Sequence, residues 1–205
     1  MKKGLILFML LLLLFNTQLI VGASKYKSEW KQVAEQRKQT LEQNPQNYIT
    51  KYELAVAHSN LGNIKQAAQL FEDLKEVKDR DEKLKAAIKN YEHDLQNSNS
   101  DIKKINFLAF AYYTADKHKK ANKLFEKIVA LDPENIWSYN YLAVTEHELK
   151  MYQKAKRTLK KSLEIKDDQY THFLLGVNYY KQGNLFKAFH HVRKGRKAAS
   201  LFLDK

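Results

Sequence analysis

The stretch LAFAYYTADKHKKANKLFEKIVALDPEN, residues 108–135, decides the fold. It sets a large apolar residue beside a small one at Leu108-Ala109, and later a small residue one helical turn ahead of a large one, at Ala121 and Phe125. Elsewhere the first pair recurs as Leu54-Ala55, Leu142-Ala143 and Leu175-Gly176, and the second as Ala67 and Phe71, Ala155 and Leu159, Ala188 and Val192. Both columns advance by steps of 54, 34 and 33 residues. A repeat near 34 residues is the length of a two-helix hairpin, and such hairpins bury their apolar faces only by stacking on one another. Small residues belong where two antiparallel helices cross closely, and their large partners fill the space beside the crossing. Composition agrees. The 205 residues include only two prolines and six glycines and are 44% hydrophobic, which favours long helices around a continuous core over strands and turns. The chain is expected to be all-α.

Between the two helices of a hairpin the chain must turn sharply, and Gly62 and Gly183 fall where a left-handed residue ends a helix. Asp116 tolerates that conformation less well, and Lys150 departs from the pattern. With Tyr112, Ala121, Phe125 and the closing Leu131-Asp132-Pro133-Glu134-Asn135, the quoted stretch resembles a tetratricopeptide repeat. The resemblance extends over Tyr48 to about Lys78 and Ile102 to about Ser200. It implies a right-handed superhelical stack of antiparallel hairpins, a tetratricopeptide-like α-solenoid that holds a partner in its concave groove.

The departures divide the chain. Ala87 and Tyr91 repeat the small-to-large spacing one period before Ala121 and Phe125, so residues 80–97 read as an extra helix, followed by a polar turn in which Ser100 or Asp101 caps the next helix. Trp30 to Glu42 reads as a half-repeat shielding the first full one. The expected order is a leader over 1–23, a capping helix in 24–47, a repeat over 48–81, and the extra helix and polar turn in 82–101. Repeats over 102–135, 136–168 and 169–205 follow, the last ending in a basic helix.

The leader has its own character. Lys2 and Lys3 precede an apolar run from Leu5 to Phe15, then Asn16-Thr17-Gln18, then Val21-Gly22-Ala23. This is the three-part order of a secretory signal, with cleavage expected after Ala23; as an alternative, Gly4 to Ala23 spans a membrane as an uncleaved anchor. The chain is therefore expected to act outside the cytoplasm, in a periplasm, at a cell surface or in the medium. No cysteine occurs, which excludes disulfides, a thiolate metal site and an N-terminal lipid anchor. Loss of the leader would lower the net charge only from +13 to +11, and a basic surface meets anionic lipid, anionic wall polymer, nucleic acid or an acidic protein. Export disfavours nucleic acid.

In a hairpin stack the first helix of each pair faces the groove, so residues beside the packing column line it. That stripe carries Tyr52 in the first repeat, Asn106, Phe110 and Tyr113 in the second, Trp137, Asn140 and His147 in the third, and Tyr170, Phe173 and Tyr180 in the fourth. Aromatics with a few amides suit apolar anchors whose backbone is bonded by Asn106 and Asn140, and Trp137 is the foremost contact expected. The family's clamp for a C-terminal carboxylate is not carried over, because Tyr52, Val56, Trp137 and Tyr141 stand where it needs polar or basic groups. A second candidate surface is basic, with Lys187, His190, His191, Arg193, Lys194, Arg196 and Lys197 close together near the end. Chemistry finds no support. No His-Glu-x-x-His, Gly-x-Ser-x-Gly, phosphate loop or dinucleotide fingerprint occurs. The expectation is a non-enzymatic scaffold or adaptor without metal or cofactor, holding a protein or peptide segment in an aromatic groove. The alternative is an envelope-associated protein whose basic C-terminal face binds anionic lipid or wall polymer. Nothing in the sequence sets an oligomeric state.

Overall fold

A computed structural model describes residues 24–97 and 100–203; the leader expected over 1–23, and Ser98-Asn99 of the polar turn, lie outside the described residues. Among the described residues the chain forms eleven helices and no strand. They are α1 Lys27–Gln43, α2 Tyr48–Leu61, α3 Ile64–Lys75, α4 Arg80–Asn97, α5 Ile102–Thr114 and α6 His118–Leu131. The remainder are α7 Ile136–Glu148, α8 Tyr152–Ile165, α9 Gln169–Lys181, α10 Leu185–Lys194 and α11 Arg196–Leu203. No described helix is long and apolar enough to cross a membrane. The architecture is a tetratricopeptide-like solenoid, with α2–α3, α5–α6, α7–α8 and α9–α10 as antiparallel hairpins, the last three packed in sequence.

The same steps that mark the crossings also mark where the helices begin and end. Asn47 accepts from the Thr50 N–H, Asp101 from Lys103 and Lys104, Asn135 from Trp137, and Asp168 from Tyr170 and Thr171. Each satisfies first-turn donors that would otherwise lack a partner, so α2, α5, α7 and α9 all start on an Asn or Asp side chain. At their other ends Gly62, Asp116, Lys150 and Gly183 have φ of 76°, 56°, 60° and 74°. Lys150 thus takes the left-handed turn in spite of its side chain: the geometry of the hairpin overrides a local cost of about 1 kcal/mol.

Burial separates the two helices of a hairpin. Every residue of α5 from Ile105 to Tyr112 is buried, whereas α6 buries only the face with Ala121, Asn122, Phe125 and Ile128. First helices are enclosed between layers; second helices are amphipathic and form the outer layer. The crossing columns sit as their small residues require. Ala55, Ala109, Ala121 and Ala155 are fully buried, and a Cβ built on Gly176 would fall 2.7 Å from the Val192 side chain on α10.

The first repeat breaks the linear stack. It is α4 rather than α3 that packs broadly on α5, and Arg37, Glu53 and Tyr91 bind α1, α2 and α4 together. The Arg37 Nε lies 2.5 Å from one Glu53 carboxylate oxygen, and the Tyr91 hydroxyl donates to the other at 2.9 Å. With α4 in that place, α2 lies across first helices of two later repeats, α5 and α7. The Tyr52 hydroxyl donates to the Phe107 carbonyl at 2.5 Å, and the Tyr141 hydroxyl to the Ser59 carbonyl at 3.3 Å. The Ser24 hydroxyl and the Lys25 N–H both reach the Asp132 carboxylate, tying the start of the described chain to the end of α6. At the other end α10 stops at Gly195, and α11 folds back onto α9.

Candidate functional site

Because α2 lies on α5 and α7, part of the expected groove stripe is interior. Rings run in close succession from Trp30 through Phe107, Tyr91, Tyr52 and Phe71 to Phe110, with centroid separations of 5.7 to 6.2 Å. Phe110 in turn meets Phe125 and Tyr141 at 5.3 and 4.7 Å. Tyr52 is 1% exposed and Phe110 5%, so each shows only an edge. Burial holds the phenols of Tyr52 and Tyr141 well above their usual range.

That edge faces a cavity of about 600 Å³, bounded by α2, α3, α5, α6 and α7. Its walls are Tyr52, Phe71, Phe110, Tyr113, Phe125, Tyr141 and Val144, with Ala67, Ala68 and Ile64 of α3 opposite. Charged groups, Lys75, Arg80, Asp116 and Glu148, also line it, with the His118 imidazole. Tyr113 reports the combined environment: burial, then the carboxylates of Glu148 and Asp116, push its phenol up to about 12. Val144 and Glu148 also line a second, smaller depression of about 160 Å³ with His147, Leu174, Val177 and Asn178, so the two adjoin along α7. A volume of this size, walled by aromatics with charges of both signs, suits large apolar side chains of a bound segment.

The structure brings Tyr52, Phe110 and Tyr113 into the cavity and His147 into the depression beside it. His147 is held there by its Nδ1 contact to the Asn178 Oδ1 at 3.2 Å and by the Tyr152 ring. Other residues of the stripe are elsewhere. Asn106 and Asn140 are buried, which corrects the expectation that they bond a peptide backbone. The Asn106 amide donates to the Ile102 carbonyl within its own helix, and the Asn140 oxygen accepts from Ser162 and Thr171, joining α7, α8 and α9. First helices are enclosed on nearly all sides, so an amide beside the packing column is absorbed by the stack. Trp137 lies outside the cavity, half-buried between Gly62 and the Tyr170 ring, whose centroid is 5.6 Å away. It joins α7 to the α2–α3 turn. Phe173 packs where α11 begins, its backbone N 2.6 Å from a Cβ built on Gly195, and Tyr180 is exposed on the end of α9.

Phe71, Phe125 and Tyr141 are wall residues that the stripe did not include. The first two fill the space beside crossings, and their second role arises only because α3 faces α5 and α7 across a gap. No local signal announces that.

Of the basic surface, Lys187, Arg193, Lys194, Arg196 and Lys197 are all exposed. His191 turns inward instead. Its Nδ1 lies 2.9 Å from that of His172, whose Nε2 meets Asp167 at 2.6 Å. Among the described residues no group of three or more His, Asp or Glu is arranged to hold a metal ion.

Comparison with known proteins agrees with this geometry. Residues 124–157, from the middle of α6 to the start of α8, match the family model described as tetratricopeptide repeat. No curated protein matches the chain significantly over its sequence. Solved structures share the fold, two of which serve as examples. One, named MamA MSR-1 C2, is 18% identical with a TM-score of 0.52, covering 73% of this chain and 95% of that one. Another, Crystal structure of MamA protein, is also 18% identical with a TM-score of 0.51, covering 89% of this chain and 92% of that one. At such identity the likeness establishes the fold alone.

Proposed function

We propose that this tetratricopeptide-repeat chain is a non-enzymatic scaffold that holds a segment of a partner protein by seating apolar side chains in the cavity beside α2. The observation that carries the reading is the cavity itself, about 600 Å³ with seven tyrosine and phenylalanine rings in its wall, in a fold built from stacked hairpins. An apolar-walled space of this volume, partly open to solvent and bordered by a few charged groups, is the usual form of a binding site. The adjoining depression along α7 gives a bound segment a path of two subsites, the larger for an aromatic or branched anchor and the smaller for a second apolar side chain. The Asp116 and Glu148 carboxylates and the Lys75 and Arg80 cations that also line it offer charges of both signs to polar groups of the segment.

A displayed random-peptide library tests this directly. Selected peptides are expected to share aromatic or large aliphatic anchors, and Val144→Glu, which puts a charge between the two subsites, is expected to weaken them at least tenfold. Binding that survives Val144→Glu unchanged, with circular dichroism showing an intact fold, removes the cavity from the proposal. We further infer from the leader that the scaffold works outside the cytoplasm. N-terminal sequencing of the native protein should then begin at Ser24; a retained Met1 in washed membranes would favour the anchor instead.

A further inference from the structure

The last hairpin leaves one face of α10 uncovered. Because α11 turns back at Gly195 to pack on α9, Leu185, Phe186 and Phe189 stand in solvent, 64%, 85% and 72% exposed. Their spacing puts all three on one side of α10, and apolar clusters of this kind on a surface mark contact sites. The electrostatic setting is one-sided. Lys181, Lys187, Arg193, Lys194, Arg196 and Lys197 are exposed around this end of the molecule, and from Gln169 to Leu203 the chain contains no Asp or Glu.

We propose that α10 is a membrane-surface contact, in which Leu185, Phe186 and Phe189 enter the boundary between headgroups and acyl chains of an anionic bilayer while the surrounding cations engage lipid phosphates. An interfacial helix needs those two features together. Three observations select this occupant. The apolar side chains protrude from a helix instead of lining a socket, and a deformable bilayer receives such protrusions without a matching cavity. A second copy of the chain would bring six cations against six, which charge repulsion opposes. A soluble polyanion accounts for the cations and leaves the three exposed apolar side chains without a role. The contact narrows the basic-face expectation from anions in general to lipid, and it is independent of the groove, since no α10 residue lines the cavity or the depression beside it.

The absence of cysteine allows a test on the full chain, because a cysteine introduced by Phe186→Cys is the single site for a polarity-sensitive fluorophore. Gln66→Cys, on the exposed side of α3, is the control. Each labelled protein is titrated with phosphatidylcholine vesicles, with the same vesicles containing phosphatidylglycerol, and with polyglutamate. A blue shift at position 186 and not at 66, seen only with phosphatidylglycerol vesicles, is expected. Because the label reports on α10 alone, vesicle binding through the leader does not produce it. Changing Arg193, Lys194, Arg196 and Lys197 together to Gln, or Phe189 to Ser, should raise the anionic lipid needed for half the shift at least tenfold. All these side chains are exposed, so the variants retain the fold, which circular dichroism checks. No shift with any vesicle, an equal shift with polyglutamate, or a shift that grows with protein concentration in the absence of vesicles would each overturn the proposal, the last two in favour of an acidic partner and of self-association.

Discussion

Gly62 carries two constraints at once. Its φ of 76° suits a residue without Cβ, and a Cβ there would fall 2.6 Å from the Trp137 ring. Lys150 stands at the equivalent turn with φ 60° and has only the first constraint. The two positions therefore predict opposite responses. Gly62→Ala adds a left-handed penalty to an overpacked contact and should cost roughly 2 to 4 kcal/mol. Lys150→Gly relieves the same penalty, offset in part by the freedom glycine gains in the unfolded chain, and should stabilise by a few tenths to about 1 kcal/mol. Urea unfolding midpoints decide both, and a Gly62→Ala variant as stable as the parent would mean that Trp137 does not rest on this turn. Single residues were legible in the sequence where one conformation or one crossing dictates the type, as with Gly62, Ala121 and Gly176. They were illegible where a type serves either burial or exposure. Their place beside the crossing column suggests peptide ligands in Asn106 and Asn140, yet both are buried, the Asn106 amide bonded within its own helix and the Asn140 oxygen to Ser162 and Thr171 of the next two helices.

At the scale of elements, α9 and α10 are joined by a polar contact in which the His172 Nε2 meets the Asp167 carboxylate at 2.6 Å and its Nδ1 faces the His191 Nδ1 at 2.9 Å. Burial first, then the charges of His172, His190 and Lys194, lowers the His191 pKa to about 4 from its ordinary 6.5. Between those values the unfolded imidazole binds a proton that the folded one refuses. The contribution to stability is thus fully present above pH 6.5 and is lost as pH falls towards 4. Unfolding midpoints taken across that window should decline with acid, and His191→Gln should flatten the decline; an equal slope in the variant assigns the acid sensitivity to other groups. The elements themselves were largely readable, because the period fixes which helices exist and the cap expected at Ser100 or Asp101 is made by Asp101; the structure adds like caps at Asn47, Asn135 and Asp168. The expected extra helix is present as α4, but its packing on α5 in a place α3 would otherwise take follows from three-dimensional competition between two amphipathic helices. Spacing alone carries no record of that contest.

For the molecule as a whole, the consequence of that competition is closure. A regular solenoid couples each repeat only to its neighbours and unravels from its ends. Here α2 of the first repeat touches α7 of the third, with Tyr141 bonded to Ser59 and Trp137 set against Gly62, while Ser24 and Lys25 reach Asp132. The terminal repeat is thereby tied to the middle of the chain, and the cavity exists because this tie spans a gap that α3 then borders. Trp137 becomes a probe of the tie. Trp137→Ala removes a half-buried ring from between α7 and the α2–α3 turn and should cost about 2 kcal/mol, less than the usual cost for a fully buried tryptophan. What distinguishes closure from ordinary packing is where that loss is felt. In a linear stack, damage on α7 loosens its sequence neighbours, α5, α6, α8 and α9. In the closed arrangement it loosens α2 and α3, some eighty residues earlier, through the contact that bypasses the second repeat. Hydrogen exchange of backbone amides resolves the two patterns, because local opening is read helix by helix. Faster exchange in α2 and α3, and in the first turn of α9 where Tyr170 loses the Trp137 ring, with α6 and α8 retaining their protection, is the expected result. Loss of protection spreading from α7 into α6 and α8, with α2 unchanged, would show the first repeat to be held by its sequence neighbours alone, and the wall that α3 gives the cavity would then have no anchor in the third repeat.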